Sequence, residues 1–186
     1  MPEQPAAPFA GRLKASGREA GAAPRGDRGG RPDRRDWLER AESVADRLAR
    51  ERIEEAAGND RRLQGVQVEV AVQNGVVLLY GSVRLYIQRM LFEQLAWHNQ
   101  RVREVDNEIE VVPFVPVWDA EIERAITSLL SESRRFNDIR LNVTVEKGRV
   151  TIRGTFWEPG DVVFLKHRLA EIEGVAAIEM AIEFET

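Results

Sequence analysis

A repeat with a fixed offset of 73 residues constrains this chain more than any other feature of its sequence. From the first predicted strand to the C-terminus, residues of similar type recur at this offset without a gap. The matched pairs include two glycines and apolar residues of every predicted strand: Val70 with Val143, Gly75 with Gly148, Gly81 with Gly154, Val105 with Ile178, and Ile109 with Ile182. A period of this kind indicates two copies of one small folding unit.

Each copy is predicted to fold in the order helix, strand, strand, helix, strand. In the first copy, a run of apolar residues at helical spacing ends at Gly58. Alternating valines then lead into Asn74-Gly75, which is the preferred sequence for a type I′ hairpin turn. A second helical run covers residues 85–100, and the third strand ends at Pro113.

Composition divides the chain into a tail, two domains and a linker. Residues 1–35 are rich in Gly, Pro, Ala and Arg, which predicts disorder because they bury too little apolar surface to offset the entropy of ordering. We expect the first domain over 36–112, an apolar linker over 113–117 and the second domain over 118–186. The pattern predicts an α+β fold in which two helices cover one face of a three-stranded sheet and the other face is polar.

Charge is distributed unevenly between the tail and the rest of the chain. Residues 1–35 hold eight Lys or Arg and four Asp or Glu, so the remainder carries 19 basic against 27 acidic side chains. An acidic body repels phosphate at long range. We therefore expect nucleic acid to be bound only weakly, through the arginine- and glycine-rich residues 25–32.

Targeting signals are missing from the sequence. It has no apolar segment behind a basic N-terminus, and no apolar run reaches the roughly 18 residues that a membrane span needs. These features predict a cytoplasmic protein, and they leave peripheral contact with a membrane open.

Catalytic and metal-binding constellations are also missing. The absence of cysteine excludes disulfides, thiolate nucleophiles and cysteine-ligated metals. The two histidines, His98 and His167, lie at non-equivalent positions of the second helices, and neither has neighbours that complete an acid–base or metal set. We predict no catalytic residue, no metal and no cofactor.

Each copy resembles a BON domain, a bacterial module of osmotic-stress, envelope and secretin-associated proteins. The second copy carries the acidic helix start and the apolar and glycine positions of the pattern: Asp119, Val143, Val145, Gly148, Val150, Ile152, Gly154, Gly174, Val175 and Ile178. The first carries Val70, Val72, Gly75, Val77, Leu79, Gly81, Val102, Val105 and Asn107. Arg101 and Met180 depart from it, at positions where glycine and asparagine are usual. The resemblance implies an αββαβ fold that binds phospholipid or envelope partners.

Four glycines of this pattern are predicted to meet a backbone requirement. Gly75 and Gly148 fit the positive φ of a hairpin turn. Gly81 and Gly154 are expected to allow close approach where the strand meets the second helix.

The second helix of the first copy is apolar on two faces. Leu85, Phe92, Leu95 and Ala96 form the face that the repeat assigns to the core, and the opposite stripe consists of Tyr86, Met90 and Trp97. The other domain with the linker, a second subunit, or a membrane or foreign partner are the three coverings left open. Trp157 is a separate candidate on the second domain, with packing inside the chain as the alternative.

These observations favour a non-enzymatic binding or scaffold protein, linked to stress or envelope biology. Its expected partner is anionic phospholipid or another protein, and a homo-oligomer remains open. The alternative is a cytoplasmic sensor that binds a small ligand or ion between the two domains.

Overall fold

Two copies of the same αββαβ unit make up the computed structural model, which describes residues 42–136 and 139–184. The elements of the first copy are α1 (Val44–Asn59), β1 (Gln67–Gln73), β2 (Val76–Val83), α2 (Tyr86–Trp97) and β3 (Glu104–Val111). Those of the second are α3 (Asp119–Glu132), β4 (Leu141–Glu146), β5 (Arg149–Phe156), α4 (Pro159–Ala170) and β6 (Ala177–Phe184). The predicted α+β class and element order are confirmed, whereas the predicted tail over 1–35 lies outside the described residues.

Each copy contains a mixed three-stranded sheet with the second strand at its centre. β2 pairs antiparallel with β1 and parallel with β3, and β5 is flanked in the same way by β4 and β6. A parallel neighbour needs a crossover connection, which α2 and α4 supply. The helices therefore lie against one face of each sheet, which is called the inward face below; the opposite face is the outward face.

Apolar side chains from both layers form the cores. In the first domain, Ile53 of α1 and Phe92 of α2 pack on inward residues of the sheet such as Leu79. In the second, Ile126 and Leu165 occupy comparable places. Burial of each side chain of this size stabilises the folded domain by about 1.5–3 kcal/mol. The alternating apolar residues of the strands and the spaced apolar residues of the helices therefore account for the folding of each unit.

The repeat extends farther than the sequence analysis found. The 73-residue offset also relates buried residues of the first helices and of the 3₁₀ turns that follow them: Ala49 with Ile122, Ile53 with Ile126, and Leu63 with Phe136. It relates Asp46 to Asp119 as well, so the acidic helix start is present in both copies.

These two aspartates tie each first helix to the hairpin of its own sheet. The Asp46 carboxylate accepts hydrogen bonds from the backbone N–H groups of Asn74 (3.1 Å) and Gly75 (3.0 Å). Asp119 accepts the equivalent bonds from Lys147 (2.7 Å) and Gly148 (2.8 Å). Hydrogen bonds to an ionised acceptor are stronger than those between neutral groups. The two bonds that each aspartate accepts therefore hold the hairpin turn of its sheet in place.

Neutralising the first of these carboxylates should destabilise the protein. Burial opposes the charge of Asp46, but hydrogen bonds from Ser43, Gly75 and Asn74 and the charge of Arg103 outweigh it and lower the pKa below its usual value. A lowered pKa in the folded state means that the stabilisation is present above the ordinary aspartate pKa and is lost as pH falls through the folded value.

We expect Asp46→Asn to lower the free energy of unfolding at neutral pH by about 1–3 kcal/mol. The difference from wild type should shrink in acid. Urea unfolding at neutral and acidic pH measures it, with the exposed Glu51→Gln on the same helix as control. An equal difference at both pH values would contradict the role of the charge.

Gly75 and Gly148 lie in the predicted turns, whereas Gly81 and Gly154 differ from expectation. The turn residues Asn74 and Gly75 both have positive φ, of 50° and 76°, as a type I′ turn requires.

Gly81 and Gly154 lie within β2 and β5. A Cβ at Gly81 would clash with the Gln67 carbonyl oxygen, and one at Gly154 would clash with the chain at the start of β4. The close approach is therefore to the neighbouring strand, and the expected approach to the second helix is wrong.

Both departures from the BON pattern have local explanations. Gly174 and Arg101 occupy equivalent positions of the two copies. Gly174 has a φ of 89°, whereas the φ of Arg101 is not positive, so the first copy has a backbone conformation there that a residue with a side chain can adopt. Asn107 donates to the Arg89 carbonyl (3.3 Å), which ties β3 to α2. Met180 instead packs against the second core.

The outward face of the first sheet is less polar than expected. Leu78 and Tyr80 point away from the helices on β2 and are nevertheless buried, and the Tyr80 hydroxyl donates to Glu69. β2 is the central strand, so its outward side chains have neighbours on both sides. The expectation of a polar face is wrong here, although the second sheet presents residues such as Thr151 and Arg153.

Candidate functional site

The two domains meet through the second helices, α2 and α4. Tyr86, the first residue of α2, is half-buried and packs against the cores of both domains. Ala170, the last residue of α4, has no exposed surface and packs with the core of the first domain. Ile178 of β6 is half-buried and also contacts both cores. The domain contact is therefore apolar at its centre.

Polar and aromatic groups line the edge of this contact. A guanidinium nitrogen of Arg84 lies 3.7 Å from a carboxylate oxygen of Glu173, and the same group lies 5.4 Å from the centre of the Phe114 ring. The side chains of the ion pair are largely exposed, so the pair contributes no more than about 1 kcal/mol. Apolar packing carries the contact between the domains.

The stripe of Tyr86, Met90 and Trp97 is divided along the helix axis. Tyr86 and Trp97 are the first and last residues of α2, which places them about 16 Å apart. Met90 is half-buried against the first core, whereas Trp97 is 51% exposed. The structure therefore places one end of the stripe between the domains and the other end in solvent.

Trp157 belongs to the second domain and lies directly after β5, in the short connection to α4. It is 60% exposed and is followed by Glu158 and the start of α4. It is thus separate from the buried core residue Phe156, which precedes it. Tyr86 is half-buried between the domains, whereas Trp157 is exposed.

The linker and the residues that flank it form a further aromatic surface, which the sequence analysis described only as an apolar linker. Phe114 is 81% exposed and Trp118 is 75% exposed, and Val112 and Val115 beside them are also exposed. The signal that could have identified them is the apolar run interrupted by two prolines, Pro113 and Pro116.

Groups for chemistry are sparse among the described residues. Within 42–136 and 139–184, no three His, Cys, Asp or Glu side chains converge as a metal site would require. The ring nitrogen Nδ1 of His98 lies 2.7 Å from the Gln94 carbonyl oxygen on its own helix, and His167 belongs to α4. None of the helices in this part of the chain is long and apolar enough to cross a bilayer.

Comparisons with solved structures return CdsD, described as a structural protein of the type III secretion system of Chlamydia trachomatis. Its C-terminal domain aligns with a TM-score of 0.33 and 14% identity, over 76% of this chain and 67% of that one. A second CdsD structure aligns with a TM-score of 0.32 and 15% identity, over 75% and 63% of the two chains. No curated protein matches the sequence.

The family model of the BON domain matches this chain twice. The matches cover residues 44–113 and 119–185, and each contains one complete αββαβ unit. Together they account for well over half of the sequence. The chain therefore belongs to the BON domain family and carries two BON domains in tandem.

Proposed function

We propose that this tandem BON protein is a non-catalytic scaffold that binds a protein partner through exposed aromatic side chains. One observation carries the proposal: six aromatic residues of the described part of the chain are exposed on an acidic body, namely Trp97, Phe114, Trp118, Trp157, Phe164 and Phe184. Tryptophan is enriched where partners pack, because it buries a large apolar area and retains one hydrogen-bond donor. A setting in stress or envelope biology is motivated by family membership.

Charge favours a protein over anionic phospholipid as the partner. Aromatic residues also settle at membrane interfaces, so exposure alone does not separate the two. Carboxylates follow two of the tryptophans in sequence: Glu158 after Trp157, and Asp119 after Trp118. The body beyond residue 35 has an excess of carboxylates as well. An anionic headgroup would therefore be repelled by the carboxylates beside Trp118 and Trp157 and by the net charge of the body.

The contact between the domains supports a scaffold more than a sensor. A site for a small ligand or ion there would need polar groups that converge on a cleft. The centre of the contact instead contains Tyr86, Ala170 and Ile178, and Ala170 has no exposed surface. We therefore assign the contact to packing.

Co-sedimentation with vesicles tests this choice of partner. We expect the full chain to remain in the supernatant with neutral vesicles and with anionic vesicles rich in phosphatidylserine, at low and at moderate salt. Sedimentation with the anionic vesicles that is lost when salt is raised would contradict the proposal, because it would identify phospholipid as the partner. The variant Trp157→Ala then reports whether that binding uses the aromatic surface.

A further inference from the structure

We propose that the protein partner is a second copy of this chain, bound head to tail in the manner in which the two domains of one chain already meet. This inference rests on the proposed function and specifies its partner. It follows from comparing the repeat offset with the contact between the domains.

The contact within the chain is made by two different surfaces. Side A belongs to the first domain and consists of Arg84 and Tyr86, at the start of α2. Side B belongs to the second domain and consists of Ala170, Glu173 and Ile178, at the end of α4 and the start of β6. Arg84 pairs with Glu173, and Tyr86 and Ile178 each pack against both cores.

The 73-residue offset locates an unused copy of each surface. Side A recurs on the second domain as Trp157 and Pro159. Side B recurs on the first domain as Trp97, Gln100 and Val105. One chain therefore carries a complete junction in its middle, an unused side A at one end and an unused side B at the other.

Burial differs between the used and the unused copies at the two apolar helix positions of the contact. Ala170 has no exposed surface, but its counterpart Trp97 is 51% exposed. Tyr86 is half-buried, but its counterpart Pro159 is exposed. Arg84 and its counterpart Trp157 are both exposed, but the unused copy has an apolar side chain there in place of a charged one. Ile178 and its counterpart Val105 are both half-buried. Large exposed apolar side chains thus occur at the two repeat positions where a neighbouring domain would lie.

Size and charge suit the two unused surfaces to each other. Within the chain, side A contributes the large Tyr86 and side B the small Ala170. Between chains, side A would contribute the small Pro159 and side B the large Trp97, so each contact again pairs one large with one small side chain.

The ion pair of Arg84 and Glu173 is replaced by Trp157 and Gln100, which leaves no unmatched charge at these positions.

A contact between unlike surfaces leaves one unused side A and one unused side B on every open assembly, whatever its length. Assembly therefore continues until a ring closes, at two chains or more, or until an open filament grows. In an ordinary symmetric dimer, by contrast, both chains use the same surface patch.

Sedimentation velocity of the full chain tests the proposal. We expect the mean mass of wild type to rise with protein concentration above that of one chain. Trp97→Arg removes the unused side B, Trp157→Arg removes the unused side A, and each variant alone should remain monomeric. Thr144→Arg, which adds the same charge on the outward face of the second sheet, should assemble as wild type does.

Mixing the two tryptophan variants gives the sharpest result. The Trp97→Arg chain retains side A and the Trp157→Arg chain retains side B, so an equal mixture should form dimers and nothing larger. At a concentration where wild type is monomeric, equal thermal unfolding of wild type and variant confirms that each variant is folded, as expected for exposed positions.

Three results would overturn the proposal: wild type that is monomeric throughout, association that persists in either Trp97→Arg or Trp157→Arg alone, or a mixture that fails to form dimers. Binding to anionic vesicles would refute the proposed function. The two tests are independent, because self-assembly is measured on the protein alone, without lipid.

Discussion

Replacing Gly148 with valine should unfold the second domain under conditions in which wild type is stable. Gly148 has a φ of 74°, and a Cβ there would lie 2.5 Å from the carbonyl oxygen of Gly174. A β-branched residue thus meets both an unfavourable backbone conformation and a clash with a backbone atom. We expect a loss of about 2–4 kcal/mol in the free energy of unfolding, measured by urea denaturation.

The first domain offers an independent repetition of the same experiment. Gly75 has a φ of 76°, and its Cβ would lie 2.7 Å from the Arg101 carbonyl oxygen. Gly75→Val should therefore cost a similar amount. Gly58→Ala and Gly160→Ala are matched controls, because both glycines lie in helices and have open space where a methyl group would be added. Stability unchanged by both valine substitutions would contradict the turn geometry.

Replacing Ala170 with arginine should separate the two domains. Ala170 has no exposed surface and packs with the core of the first domain, so the larger side chain cannot be accommodated without opening the contact. Overpacking and the burial of an unpaired charge each destabilise a folded protein, and together we expect a loss of about 2–4 kcal/mol. Chemical denaturation should then show two transitions in place of one if the domains unfold separately.

The repeat provides a matched control for this variant. Trp97→Arg introduces the same side chain at the equivalent position of the first domain, where the residue is largely exposed. It should leave the stability of the single chain within about 0.5 kcal/mol of wild type. Equal losses for both variants would mean that the effect reflects the end of a helix and not the domain contact.

Local signals explain which parts of the fold could be predicted from the sequence. The hairpin followed from Asn74-Gly75, because a type I′ turn needs positive φ at both positions. Strand positions followed from alternation and from the repeat. The acidic helix start was recognised only in the second copy. In both copies the aspartate bonds to a turn 28 residues away, and such a distant contact leaves no local pattern in the sequence.

The contact between the domains could not be predicted for a different reason. A helical projection places Tyr86, Met90 and Trp97 on one stripe, but it contains no information on distance along the axis. The partner surface is centred on Ala170, and a small residue gives almost no apolar signal in a sequence. Only the structure shows that Tyr86 faces the other domain while Trp97 faces solvent.

The packing of the two domains against each other is the central claim of this account, and NMR of the tyrosine rings tests it most directly. The sequence contains two tyrosines, Tyr80 and Tyr86, so ring-labelled protein gives two sets of signals. Ala170→Arg should shift the Tyr86 signals and leave those of Tyr80 in place, and Trp97→Arg should shift neither in the monomer. Tyr86 signals that do not respond to Ala170→Arg would contradict the claim that Tyr86 and Ala170 belong to one contact.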